Sequence, residues 1–88
     1  MLKVSAIEVR GETVDVVELT AGQREALLPL FQDSPVKAMT HICAMCACED
    51  GAPIWTPDEA EGLPPDVVDA IASEAMRISG MGDDSPND

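Results

Sequence analysis

The side chains with the most chemical potential are crowded into positions 41–48. His41, Cys43, Cys46 and Cys48 form His-x-Cys-x2-Cys-x-Cys, and imidazole with thiolate is a ligand set that zinc favours. Common structural zinc sites, however, draw ligand pairs from two separated segments, and these four share one. The apolar spacing around them predicts a helix, on which Cys43 and Cys46 share a face while Cys48 points well away from Cys43. Bringing all four together would require that helix to unravel. Cys43 and Cys46 are therefore expected to be small apolar core residues, and no metal or cofactor is assigned. A disulfide framework is also not expected from three cysteines so closely spaced, and their use fits a reducing cytosol.

Nucleophilic catalysis fails on inventory. The single histidine lies two residues from a cysteine, and no third group orients it. The glycines are isolated and make no phosphate loop. Asp58, Glu59 and Glu61 cluster at a helix start, where carboxylates complement the helix dipole. No catalytic residue is assigned, and the chain is expected not to be an enzyme. The residues singled out instead are adaptable or large apolar ones: Met39, Ile42, Met45, Trp55 and Met76, taken as candidate partner contacts. Unbranched thioethers fit varied apolar surfaces, and Trp55 is the one large anchor available.

The elements that must position these residues follow from local signals. Residues 2–9 and 13–19 are rich in Val and Ile and predict two strands, joined at Arg10-Gly11-Glu12 into a β-hairpin. Thr20 and Gln23 have the spacing of a capping box. The helix they open has Leu27, Leu28, Leu30 and Phe31 as its apolar side, with Pro29 expected to end or kink it. Ser34-Pro35 starts a second helix to about Ala47, with Val36, Met39, Ile42, Cys43 and Cys46 as one stripe. Glu49-Asp50-Gly51 breaks it, and Ala52 to Trp55 reads as an extended connector. Thr56-Pro57-Asp58-Glu59 caps a short third helix ending at Gly62. Pro64-Pro65-Asp66 leads into a final helix to about Ser79, burying Val67, Val68, Ile71, Ala72, Ala75 and Ile78. The expectation is a small single-domain α+β fold over residues 1–80, an N-terminal β-hairpin followed by three to four helices. Residues 81–88 are expected to be a flexible acidic tail.

Composition narrows the partners. The 88 residues carry 17 acidic and 5 basic side chains, a formal net charge of −12. Residues 1–48 hold 6 acids and 4 bases, whereas residues 49–88 hold 11 acids and 1 base. Phosphate binding needs clustered Lys and Arg, so neither nucleic acid nor an anionic membrane surface is an expected partner. No signal-peptide pattern or transmembrane-length run is visible, and a cytoplasmic location is expected. An 88-residue chain buries a modest core, so self-association is a natural remedy.

Three stretches taken together resemble the tail assembly chaperones of long-tailed bacteriophages. They are Val9-Arg10-Gly11-Glu12-Thr13-Val14 leading into Glu18-Leu19-Thr20-Ala21-Gly22-Gln23-Arg24-Glu25, then Cys48 to Glu59 with its acidic-Gly turn and capped helix, then Pro65 to Met81. Each is ordinary turn or cap chemistry, and the signal lies in their order and spacing along nearly the whole chain. The Cys- and Met-rich middle helix and Pro29 depart from the pattern. The resemblance implies a non-enzymatic protein of the host cytoplasm, absent from the mature virion. Such a protein binds the tape measure protein, helps recruit tail tube protein and self-associates. It also implies the short form of a frameshifted pair, with the acidic tail where an extension would begin. A small acidic regulator or inhibitor of another class is the alternative. The nearly neutral first half, with its hairpin and Met/Cys helix, is the expected surface for self-association and client contact.

Overall fold

The fold was obtained as a computed structural model that describes residues 2–81. It is α+β, with a four-stranded antiparallel sheet and four helices. Strands β1 (Val4–Val9) and β2 (Glu12–Val17) form the N-terminal hairpin. Helices α1 (Ala21–Asp33) and α2 (Pro35–Cys46) follow, then β3 (Ala47–Glu49), β4 (Ala52–Pro53), α3 (Pro57–Glu61) and α4 (Pro65–Ile78). The sheet order is β1-β2-β3-β4.

The hairpin is not alone, which corrects the sequence reading. Residues taken as a helix break and a connector form β3 and β4, and β3 adds to β2 through Asp15↔Cys48 and Val16↔Ala47. Both hairpins turn in the same way. Arg10 and Gly11 have φ of 52° and 81°, and Asp50 and Gly51 have 55° and 82°. Two successive left-handed residues twist the chain in the sense that matches the strands. Glycine takes the second position of each at no steric cost, and aspartate is among the side chains that tolerate the first.

One sheet face is apolar and covered by helices. Ile7, Val9, Val14, Val16 and Ala47 point inward, while Val4, Ala6, Glu8, Thr13 and Asp15 alternate outward. The core joins that inner face to Leu27 of α1, to Ile42, Cys43 and Cys46 of α2, and to α4. All six α4 residues expected to be buried are so: Val67, Val68, Ile71, Ala72, Ala75 and Ile78.

Helix starts obey the local signals. Thr20 with Gln23 and Thr56 with Glu59 each form a reciprocal capping box. Ser34 accepts from the Lys37 amide, with Pro35 in the first turn. Two expectations about apolar faces need correction, those for Leu28 and Val36, and of the two outcomes expected at Pro29 the helix does not take the first. Helix α1 runs through Pro29 to Asp33 without ending there; Leu27, Leu30 and Phe31 recur at i, i+3 and i+4 against the core and hold the helix together past the missing amide. Leu28, a hundred degrees round from Leu27, faces solvent and is 54% exposed. Val36 is 75% exposed, because it lies in the first turn of α2, ahead of the buried length that begins at Ala38.

The end of α4 also differs from expectation. Gly80 has φ of 77°, its amide bonds to Arg77 O, and Met81 N donates to Met76 O at 2.8 Å. This is a Schellman motif, in which the residue after the left-handed glycine closes the last turn. Met81, assigned to the tail, is half-buried against the core. The rest of the expected acidic tail, residues 82–88, lies outside the described residues.

Candidate interaction surface

The crowded thiols separate once the chain is folded. Cys43 and Cys46 lie in the core, as expected for small apolar residues. Cys48 is on β3, opposite Asp15 and half-buried. His41 turns toward its own helix, with Nδ1 3.5 Å from Lys37 O. Among the described residues, no three His, Cys, Asp or Glu side chains gather where they could hold a metal ion. Burial pushes the Cys43 thiol up to about 11 and the Cys46 thiol up to about 12, the latter helped by the neighbouring Cys48 and Cys43. Such thiols stay protonated at neutral pH and are poor nucleophiles. No polar or charged side chain among the described residues is buried.

The five candidate contact residues do not form one surface. Ile42 is fully buried, so it serves the core and cannot meet a partner while the fold is intact. Met39, Met45 and Met76 are half-buried and packed against the core. Six positions separate Met39 from Met45, roughly 240° around α2, so they leave the helix on different sides. Helix α2 thus buries five residues, while Pro35, Val36 and Lys37 of its first turn are exposed.

Trp55, of the five, borders two open grooves. On one side, together with Val9, Val14, Leu63, Pro64 and Val67, it lines a cleft with about 200 Å³ of water-accessible space. On the other, a wider cleft of about 330 Å³ runs past Glu12, Asp15, Glu49 and Asp50. Arg10 closes the rim of the first cleft. Its guanidinium donates to both Asp66 oxygens, at 2.8 and 3.0 Å. That bidentate bond holds the Asp66 carboxyl below the usual carboxylate range.

A third groove involves residues that the sequence reading did not single out. Val36 and Thr40 of α2, Ala60 of α3, Leu63, Pro65 and Val68 line about 210 Å³, with Glu61 and Asp69 also at the groove. It is an apolar trough with acidic side chains. Val36 carried a sequence signal, an apolar residue in a capped first turn, but only the tertiary packing shows it uncovered. Long-range bonds tie α4 and its end to the hairpin. Ser5 Oγ donates to Glu74, and the Leu19 amide donates to Ser79 Oγ at 2.8 Å. Arg77 clamps the same Glu74 carboxylate, which with Ser5 holds it down to about 2.

No helix among the described residues is long and apolar enough to cross a membrane. In comparisons with known proteins, no family model, curated protein or solved structure matches this chain.

Proposed function

We propose that the protein is a non-enzymatic tail assembly chaperone of a long-tailed bacteriophage, acting in the host cytoplasm. In this reading it binds the tape measure protein, keeps it soluble, and helps recruit tail tube protein. The resemblance in the sequence motivates the reading. The observation that carries it here is the trough between α2, α3 and α4, with an exposed Val36 at its lip and Glu61 and Asp69 beside it. A long helical client presents apolar side chains in a stripe with charged ones beside it. An apolar trough receives the stripe, and carboxylates beside it favour clients whose flanking residues are Lys or Arg. The strongly acidic body keeps a complex of many copies from aggregating.

Co-expression with the tape measure protein tests the reading. The client is expected to move from the pellet to the soluble fraction when this chain is present. Val36→Glu places a charge at the lip of the trough without touching the core, and is expected to lower client recovery at least several-fold while the helical circular dichroism is unchanged. A client that is equally soluble with and without the wild-type chain rules the chaperone reading out. Equal rescue by wild type and Val36→Glu rules out this trough as its site.

A further inference from the structure

We propose that the outer edge of β1 pairs with β1 of a second copy, giving an antiparallel two-fold dimer with a continuous sheet. The two edges of the four-stranded sheet are unlike. The β4 edge is two residues long and one of them is Pro53, which has no N–H to offer. Short edge strands and proline are the usual guards against edge pairing. The β1 edge has neither guard. It is six residues long, contains no proline, and keeps an unbroken register with β2.

The ladder phase shows which groups are free. Glu18 N donates to Lys3 O at 2.9 Å, so the odd-numbered residues Ser5, Ile7 and Val9 exchange bonds with β2. Val4, Ala6 and Glu8 then aim their N–H and C=O groups away from it. No described element pairs with that side. Two of the large exposed hydrophobics lie here, Val4 on the strand at 61% and Leu2 just ahead of it at 45%.

Charge selects a second copy as the occupant. Residues 2–10 hold Lys3, Arg10 and Glu8, a net of +1 in a chain of −12. This strip is where another acidic body can approach with least repulsion. The antiparallel register centred on Ala6 is self-complementary. Ala6 faces Ala6 across the axis and Val4 faces Glu8, so three pairs exchange roughly six backbone hydrogen bonds. The small Ala6 leaves the axis unobstructed. Because the β4 edge is blocked, pairing closes at two copies and does not run on into a fibre.

The inference extends the self-association part of the proposed function and makes no use of client binding. Its test therefore uses the purified full chain alone, by sedimentation velocity over a concentration series with residue-resolved amide exchange. A dimer is expected in which Val4, Ala6 and Glu8 amides are protected alongside Ser5, Ile7 and Val9, and become exposed on dilution. Ala6→Pro deletes one outward donor and leaves the β1–β2 bonds in place. Val4→Glu sets a carboxylate directly opposite Glu8 of the second copy without altering the backbone, a like-charge pair that is destabilising, and serves if the proline variant fails to fold. Each is expected to weaken dimerisation at least tenfold. A monomer at all concentrations overturns the proposal, as does a dimer with freely exchanging Val4, Ala6 and Glu8 amides or one that Val4→Glu leaves untouched. A monomeric chain that still rescues its client would sink this proposal alone. A β1-paired dimer with no rescue would sink only the chaperone reading.

Discussion

Burial of Cys43 and Cys46 among aliphatic residues has a consequence at alkaline pH. Both thiols titrate above their ordinary value of 9.0, at about 11 and about 12, because burial penalises the thiolate. In the unfolded chain they ionise first. The stability that their neutral forms contribute is therefore complete below about pH 9 and is lost as pH rises toward 11 to 12. The melting temperature is expected to fall through that window. A Cys43→Ala/Cys46→Ala variant, less stable throughout because of its cavities, should show a shallower fall. An equal slope in both proteins would refute the assignment. Glu74 works in the opposite sense. Arg77 and Ser5 hold its carboxyl down to about 2 from an ordinary 4.5, so its stabilisation is present above about pH 4.5 and lost as pH drops toward 2. Glu74→Gln should flatten that acid limb of a melting-temperature profile; an unchanged limb would place the acid sensitivity elsewhere. At this scale the core role of the two cysteines was legible, because helical spacing settles which face they share. The exposure of Val36 and Leu28 was not, since it depends on where neighbouring helices stop covering α1 and α2.

Elements were legible where their ends carry chemistry. Thr20 with Gln23, Ser34 with Pro35, and Thr56 with Glu59 each mark a helix start by side chains that satisfy open backbone amides, and all three act so in the fold. Strands β3 and β4 escaped because three and two residues are too few to establish an alternation. The one available signal was Asp50-Gly51, a turn pair of the same kind as Arg10-Gly11. Helix α1 shows a local preference overruled by packing. Pro29 removes the bond that its amide would make to Glu25 and crowds that turn, at a cost of roughly 3 kcal/mol, yet Leu27, Leu30 and Phe31 keep the helix on the core. Since the proline side chain is exposed, Pro29→Ala should stabilise the protein by about 1–3 kcal/mol, read from chemical denaturation midpoints. A loss of stability would mean that the ring itself supports the neighbouring turn.

For the molecule as a whole, the dominant fact is a charge of −12, of which residues 2–81, with principal extents of 34 × 27 × 22 Å, carry −9 from 14 acids and 5 bases. At about 0.01 M salt the screening length is roughly 30 Å, so acids on opposite sides still repel; at about 0.15 M it is roughly 8 Å. The melting temperature is expected to rise with salt over this range. A fall would show that the surface pairs Arg10–Asp66 and Arg77–Glu74 outweigh the net repulsion. Long-range closure of the fold was the least legible feature of all. That Ser5 meets Glu74 and Leu19 meets Ser79 follows from the packing of α4 on the sheet, which no local pattern encodes.

That closure also sets a timetable. The hairpin emerges from the ribosome early, but α4, which covers its inner face and supplies Glu74 and Ser79, is made only after about sixty further residues. At roughly 5–20 residues per second this leaves an interval of roughly 3–12 s. Throughout it Ile7, Val14 and Val16 lack their full cover and the edge of β1 is open. The danger of misassembly is thus greatest during synthesis, and its length is set by the order of the elements along the chain.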